Sequence, residues 1–186
     1  MVDSFENSFI FLDRDGTVIV DKHYLSDYRE VELLPRAAEG LIQLKDLGFK
    51  FIVVTNQSGL ARGYFTEDDL RKIHIRMLEL LNDKGISIED ILYCPHHPDD
   101  NCLCRKPGTK LVEDAARKYN FDYQKCFVIG DKQSDIIMGK RLGAKTFLIK
   151  NNKDEIEKIS IGSEPDFIIE DIMGAALIIQ ELPPFK

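Results

Sequence analysis

Acidic residues at two places in the chain have a spacing that suits phosphoryl transfer. Asp13 and Asp15 are separated by one residue and followed by a glycine, and Asp131 precedes Asp135 by four positions. One carboxylate can attack phosphorus and form an acyl phosphate, while a second protonates the leaving oxygen and later activates water. An attacking carboxylate and a phosphate dianion repel each other by roughly 4 kcal/mol at ~4 Å and a dielectric constant of ~20. Positive charge must therefore lie beside these acids.

Other residues of the chain could meet that need. Lys106 follows Arg105 in a stretch rich in proline and aspartate, and Thr55 with Asn56 follows a strongly apolar run. Mg²⁺, which is held by carboxylates, water and a phosphate oxygen, could supply further charge. Each of these short motifs alone is more often a turn or a helix cap. Their occurrence together, at the ends of predicted strands, favours a magnesium-dependent phosphoryl-transfer site.

Three of the four cysteines, Cys94, Cys102 and Cys104, fall within eleven residues. Together with one imidazole they form a Cys₃His set, which suits tetrahedral zinc. His96 is the first choice for the imidazole, because Cys94 and His96 repeat the spacing of Cys102 and Cys104, and His97 is the second choice. Four protein ligands leave no open coordination position, so a zinc ion here would be structural. Chance clustering of cysteines in a surface loop is the alternative.

A zinc ion at this place would order the loop that leads to Arg105 and Lys106. Structural zinc contributes roughly 10–16 kcal/mol on binding, whereas fixing a loop costs about 1–2 kcal/mol per residue. The ion could therefore order about ten residues. We interpret the loop of residues 94–107 as a device that positions two cations, and we assign Cys126 to the core.

Short apolar runs alternate with helical patterns along the chain. The predicted strands cover residues 9–12, 51–54, 91–93, 126–129, 146–149 and 167–169. Predicted helices cover residues 37–47, a segment that begins at the Thr66 capping box and is closed by Gly85, residues 109–119 with Thr109 as the cap, residues 134–142, and a last segment from Asp171. Continuous apolar strands separated by helices indicate an α/β fold with a parallel sheet covered on both faces. Ligands bind such sheets beyond the carboxyl ends of the strands.

The order of the motifs resembles the haloacid-dehalogenase superfamily of phosphatases over nearly the whole chain. The matching motifs are Asp13-x-Asp15-Gly16-Thr17, Thr55-Asn56, Lys106, and Gly130-Asp131-x-x-x-Asp135. The resemblance implies a Rossmann-like three-layer sheet of the haloacid-dehalogenase type. It also implies that Asp13 is the nucleophile and Asp15 the general acid and base. Short intervals between the motifs leave no room for a large cap domain, so we expect a site that is open or covered by loops.

The same resemblance implies further roles at the site. Thr55 and Lys106 would hold the transferring phosphoryl group. Mg²⁺ would be bound by Asp13, Asp131 and the backbone carbonyl of Asp15. The remaining carboxylate, Asp135, would support these residues from behind.

The cysteine cluster narrows the resemblance to a zinc-containing group whose members act on heptose 1,7-bisphosphate or on histidinol phosphate. Stretches 21–24, 55–63, 94–98 and 130–132 resemble the heptose enzymes more closely. The implied reaction removes the 7-phosphate of D-glycero-D-manno-heptose 1,7-bisphosphate, a small phosphorylated sugar. The residues implied to contact it are Asp21, Lys22, His23, Tyr24, Thr55, Asn56, Gln57, Ser58, Arg62, Arg105, Lys106 and Lys132. No role is assigned to His74, which we expect on a helix flank.

Three alternatives remain open from the sequence. Histidinol phosphate is the second substrate, and its cationic amine would favour carboxylates at the mouth of the site. A receiver-like domain would also use an acid cluster with threonine and lysine, but it would keep its aspartyl phosphate. A zinc-stabilised interaction module without activity is the last alternative.

Length and charge limit the class of protein further. The chain has 186 residues, 44% of them hydrophobic, and a formal net charge of −7. We expect one domain over residues 1–186, no nucleic-acid or membrane partner, and a monomer. The acidic start, residues 1–6, lacks the features of a signal peptide, so we expect a cytoplasmic protein. Residues 150–164 are charged and are expected to be solvated.

Overall fold

A parallel sheet forms the centre of the protein. The structure is a computed structural model that describes residues 8–150, 159 and 161–183, so the acidic start and most of the charged segment 150–164 lie outside the described residues. Within the described ranges the sheet has six strands, which confirms the predicted α/β class. They are β1 (Phe9–Leu12), β2 (Lys50–Asn56), β3 (Asp90–Cys94), β4 (Phe127–Gly130), β5 (Lys145–Ile149) and β6 (Phe167–Ile169).

The strand order is β3-β2-β1-β4-β5-β6, with every neighbouring pair parallel. Strand β1 lies inside the sheet, where Phe11 is paired with Ile52 of β2 and with Val128 of β4. The chain order reverses between β1 and β4. In an open parallel sheet, this reversal creates a crevice beyond the carboxyl ends of the two strands.

Helices cover both faces of the sheet, which gives the three layers that the sequence predicted. The helices of the described chain are α1 (Ala37–Asp46), α2 (Glu67–Asn82), α3 (Lys110–Tyr119), α4 (Gln133–Leu142) and α5 (Ile172–Glu181). Ile10 and Leu12 of β1 belong to the apolar cluster that contains α1, α2 and α5. Phe9 and Phe11 belong to the opposite cluster with α3 and α4. Alternate side chains of one buried strand thus pack into two cores.

The helix ends follow the sequence signals with one exception. Thr66 and Asp69 form the predicted capping box of α2, and Asp171 accepts a hydrogen bond from the backbone of Gly174 at the start of α5. Thr109 stands at the N-cap of α3, but its side chain makes no capping bond. Its hydroxyl donates instead to Glu113, so Thr109 occupies the predicted cap position without using its side chain as the cap. The backbone of Thr109 already has helical angles, which turn the hydroxyl along the helix.

Two loops rise from the carboxyl edge of the sheet. Residues 13–36 connect β1 to α1 and contain a short 3₁₀ turn and an isolated bridge between Ile19 and Leu33. Residues 95–109 connect β3 to α3 and contain the 3₁₀ turn Pro98–Asp100. Both are loops and neither is a cap domain, as the sequence predicted. Across the described ranges, none of the helices has the length and apolar character that a membrane span requires.

Gly40 tests the close packing of α1 against the start of α5. A Cβ at this position would lie 2.6 Å from the backbone nitrogen of Met173. Alanine normally stabilises a helix by about 1 kcal/mol relative to glycine. Here we expect Gly40→Ala to lower the free energy of unfolding in urea by about 1–3 kcal/mol. The clash of the added methyl group with α5 should outweigh the higher helix propensity of alanine. The exposed neighbour Glu39 provides the control, since Glu39→Ala should change stability by less than about 0.5 kcal/mol. A stabilised Gly40→Ala protein would contradict this packing.

Candidate active site

Lys106 lies among buried carboxylates at the carboxyl ends of β1 and β4. Its Nζ is 2.8 Å from Oδ1 of Asp13 and 2.6 Å from Oδ1 of Asp135. It also donates a hydrogen bond to the carbonyl oxygen of Val54, at 2.6 Å. The three charged residues are at most 5% exposed. Water screens these charges little, so each ion depends on the others to remain charged.

The charges of this group set its protonation states. Burial acts to raise the pKa of Asp13, but the positive charges of Lys106 and Lys132 outweigh it, and the pKa is lowered. Burial acts to lower the pKa of Lys106, but Asp13 and Asp135 outweigh it, and the pKa is raised. Asp13 is therefore an anion beside a cation. The anion is the form in which a carboxylate acts as a nucleophile.

Asp131 follows β4 and faces Asp13. Burial, together with the negative charge of Asp13, raises the pKa of Asp131 to about 8, and burial raises the pKa of Asp135 to about 6. Ligand oxygens of Asp13, Asp131 and Asp135 lie within 4.8 Å of one another. Oδ1 of Asp131 is buried and has no hydrogen-bond partner among the described residues. The three carboxylates are close enough to share one ion, and one of their oxygens lacks a hydrogen bond. Carboxylate oxygens in this arrangement suit a hard divalent cation such as Mg²⁺.

The carboxylate of Asp15 is held by Arg14 and Gln57. Arg14 donates to Asp15 from Nη2 at 2.9 Å and from Nε at 3.1 Å. Nε2 of Gln57 donates to Asp15 at 3.0 Å and lies 2.7 Å from the hydroxyl of Thr55. The carboxylate of Asp15 is thus held in a fixed orientation, two residues from Asp13. It can exchange a proton with a group bound beside Asp13.

Asn56 fixes the segment that carries Lys106. Its Oδ1 accepts from the backbone nitrogen of Lys106 at 3.0 Å, and its Nδ2 donates to the backbone oxygen of Lys106 at 3.2 Å. The side-chain amide at the end of β2 therefore pairs with the peptide groups of a distant loop. These two hydrogen bonds hold the backbone of Lys106 at the end of β2.

A cleft of about 400 Å³ opens beside the ion cluster. Of the residues implied to contact substrate, it is lined by Asp21, His23, Tyr24, Asn56, Gln57, Ser58, Arg105, Lys106 and Lys132. Thr55 lines a smaller adjoining recess with Asp13. Two implied residues are not part of this lining. Lys22 pairs with Glu32 at 2.7 Å, and Arg62 lies exposed on the turn that follows β2.

Sequence reasoning missed Arg14, Ser134 and His74. Arg14 is 1% exposed and contacts Asp15, and Ser134 lines the cleft. His74 is half-buried on α2, and its Nε2 lies 3.2 Å from Nη1 of Arg14. A basic residue between two functional acids was a signal for Arg14. His74 was predicted on a helix flank, which agrees with its half-buried place on α2, but the sequence indicated no role for it.

The cysteines and His96 form a second cluster at the edge of the sheet. The Sγ–Sγ distances are 3.2, 3.5 and 3.6 Å, and Nδ1 of His96 lies 3.1 Å from Sγ of Cys104. A tetrahedral site with Zn–S bonds of about 2.3 Å has S···S edges of roughly 3.7 Å, so these four ligands can hold zinc. His97 lies outside the cluster, because its Nδ1 faces the backbone of Asp99. Of the two predicted imidazoles, the structure places the first choice at the site.

Known proteins are similar to this chain in sequence and in fold. The HAD-hydrolase-like family model matches residues 103–175. A Pasteurella multocida protein named D-glycero-beta-D-manno-heptose-1,7-bisphosphate 7-phosphatase is 36% identical over 182 residues, which cover 93% of this chain and 97% of that protein. The chain therefore belongs to the family of HAD-like hydrolases, where HAD stands for haloacid dehalogenase.

Within that family the heptose phosphatases show strong similarity to the chain. The crystal structure of D,D-heptose 1,7-bisphosphate phosphatase from B. bronchiseptica, complexed with magnesium and phosphate, has a TM-score of 0.86 and 32% identity. The match covers 94% of this chain and 99% of that one. The Campylobacter jejuni histidine biosynthesis bifunctional protein HisB is 39% identical over 142 residues, which cover 73% of this chain and 40% of that protein.

Magnesium should stabilise the protein through Asp131. A cation relieves the repulsion among the buried acids, and a ligand at 100 times its Kd stabilises by about 2.7 kcal/mol. We expect Mg²⁺ to raise the Tm of zinc-loaded, magnesium-free protein in thermal melts. Asp131→Asn should abolish this rise, whereas Asp83→Asn, at an exposed helix end, should keep it. An undiminished rise in Asp131→Asn would contradict the assignment of this carboxylate.

Zinc content tests the second cluster separately. We expect elemental analysis of the purified protein to find about one zinc ion per chain, since the four ligands suit one tetrahedral ion. Cys102→Ser should lose the zinc and lower the Tm, because an ordered loop loses its metal. Cys126→Ser should keep the zinc, since this buried thiol lies outside the cluster. Equal zinc in Cys102→Ser and wild type would exclude the site.

Proposed function

We propose that the protein is a magnesium-dependent phosphatase that removes the 7-phosphate of D-glycero-D-manno-heptose 1,7-bisphosphate through an aspartyl phosphate. The observation that carries this proposal is the buried contact between Lys106 and Asp13, beside the unsatisfied oxygen of Asp131. That arrangement pairs a nucleophilic anion with the positive charge that a phosphate needs. Relatives named for this reaction match the chain over almost its full length.

In the first step, an oxygen of Asp13 attacks phosphorus, and the bond between phosphorus and the C7 oxygen breaks. Lys106 and the hydroxyl of Thr55 bind phosphoryl oxygens as charge develops on them. Asp15, held by Arg14 and Gln57, protonates the departing C7 oxygen. The products of this step are the sugar 1-phosphate and the aspartyl phosphate.

In the second step, water attacks the phosphorus of the aspartyl phosphate. Asp15 accepts a proton from this water, the bond from Asp13 to phosphorus breaks, and inorganic phosphate leaves. Asp13, Asp131 and the backbone carbonyl of Asp15 would hold Mg²⁺, while Asp135 supports Lys106. The bound ion would offset the negative charge of the phosphate as the nucleophile approaches.

The cleft also carries positive charge for the phosphate that remains on the sugar. Arg105 lines the cleft, and its Nη1 is buried without a hydrogen-bond partner among the described residues. Lys132 lies on the same cleft, with its Nζ 3.5 Å from Asp21. A guanidinium binds phosphate through two parallel hydrogen bonds. Two cations suit a bisphosphate better than they suit the cationic amine of histidinol phosphate.

Histidinol phosphate remains the second candidate substrate, because the chain is similar to part of HisB. The chain spans less than half of the length of that protein. Besides Asp15 and Asp131, which the proposed reaction uses, the described lining of the cleft includes the carboxylate of Asp21, which could meet an amine. Its neighbour Lys132 already pairs with it, which favours the sugar bisphosphate.

We also propose that residues 1–186 form one domain and that the protein acts as a monomer. The zinc loop, residues 94–107, would act by positioning Arg105 and Lys106. Loss of zinc should then raise KM and lower kcat. A reducing compartment such as the cytoplasm suits three clustered thiols.

Phosphate release tests the proposed function directly. We expect the wild-type protein, with Mg²⁺, to release one phosphate per heptose 1,7-bisphosphate with a higher kcat/KM than on histidinol phosphate. Asp13→Asn should lose activity by about 10³-fold or more, because the nucleophile is removed, while Asp83→Asn should be unaffected. A higher kcat/KM on histidinol phosphate would favour the second candidate. Phosphate retained on the protein without turnover would indicate a receiver-like domain.

A further inference from the structure

Arg14 is a fully buried cation that the chemistry above uses only as a holder of Asp15. Its side chain is 1% exposed, and its three nitrogens meet three different side chains. Nε and Nη2 donate to Asp15, Nη2 also donates to Gln57 at 3.2 Å, and Nη1 lies 3.2 Å from Nε2 of His74. Contacts at Nη1 on one side, and at Nε and Nη2 on the other, therefore fix the orientation of the guanidinium plane.

His74 must accept the hydrogen bond from Arg14. A guanidinium has donors only, so Nε2 of the ring carries the lone pair and the ring is neutral. Burial, helped by the charge of Arg14, lowers the pKa of His74 to about 3, which keeps the ring neutral. The ring also packs edge-on against Tyr93, with the centroids 5.9 Å apart. The acceptor atom is thus fixed by helix α2 and by strand β3.

His74 and Arg14 line different clefts, and only Arg14 lines the one beside the ion cluster. His74 lines a separate cleft of about 390 Å³ with Leu70, Arg71 and Tyr93, and it is not part of the cleft that contains the acid cluster. The described contact that joins His74 to the cleft beside the ion cluster runs through Arg14, which lines that cleft. This separation allows the effect of His74 on chemistry to be measured apart from substrate binding.

We propose that His74 is a positioning residue that sets the orientation of Arg14, and through it the orientation in which Asp15 protonates the leaving oxygen. The inference rests on the proposed function, since it requires Asp15 to act as the general acid. A guanidinium that rotates moves both of its hydrogen bonds to Asp15 together. Misplacement of a catalytic group by about 1 Å can cost about 10²-fold in rate.

Leaving-group dependence distinguishes this role from a structural one. A sugar alkoxide is a poor leaving group and needs the proton from Asp15, whereas 4-nitrophenolate leaves without one. The ratio kcat/KM reports steps up to departure of the leaving group, so it isolates the acid role of Asp15. A defect in acid positioning should lower kcat/KM for the sugar ester and leave the aryl ester little changed.

The experiment compares heptose 1,7-bisphosphate with 4-nitrophenyl phosphate in four variants of the magnesium- and zinc-loaded protein. His74→Leu removes the acceptor, His74→Asn places an amide too short to reach Arg14, and His74→Gln keeps an acceptor oxygen at similar reach. Ile75→Ala, at an exposed position next in sequence, is the matched control. If His74→Leu fails to fold, His74→Asn still tests the loss of the acceptor, because it keeps a polar side chain at this position.

We expect the Leu and Asn variants to lose about 10²-fold in kcat/KM on the sugar ester, with KM little changed and the aryl ester little affected. His74→Gln should recover most of the loss, and Ile75→Ala should match wild type. An equal loss on both esters, or no loss on either, would overturn the inference while the proposed function stands. A wild-type protein inactive on both esters would overturn the proposed function itself.

Discussion

The contact between Lys106 and the buried carboxylates of Asp13 and Asp135 is the interaction on which the site depends. Without the ammonium group, three acids would face each other where water screens them little, and their negative charges would repel a phosphate. With it, Asp13 remains an anion and can approach phosphorus. In the proposed reaction, this positive charge would allow Asp13 to meet a substrate of like sign.

The fold brings these groups together from distant parts of the chain. Asp13 and Asp131 follow neighbouring parallel strands, so the sheet alone places them side by side. Lys106 has no strand beneath it and arrives on a loop. The amide of Asn56 and the cluster of cysteines with His96 hold that loop at its two ends. The sheet supplies the acids, and the loop supplies the cation that balances their charge.

The features that could be predicted from the sequence are those that depend on local pattern and on the order of motifs along the chain. Strands, the position of Asp13 and Asp131 at their ends, and the choice of His96 over His97 all follow from spacing. Thr109 holds the predicted cap position of α3, but spacing did not reveal that its hydroxyl bonds to Glu113 along the helix. Arg14 and His74 were missed, since their contact joins residues sixty positions apart. Such a pair leaves no periodicity, and only the packing of α2 on the sheet reveals it.

A zinc ion in the cysteine cluster, as proposed, would make the placement of Lys106 depend on the supply of a metal. Sulfur ligands prefer a soft ion and oxygen ligands a hard one, so the two clusters draw on separate ion pools. Magnesium is abundant inside cells, whereas free zinc is scarce. During zinc starvation, newly made chains would complete their sheet yet lack a correctly placed ammonium group. Zinc supply would then set the fraction of protein molecules with a correctly placed Lys106, while the rate of protein synthesis stays the same.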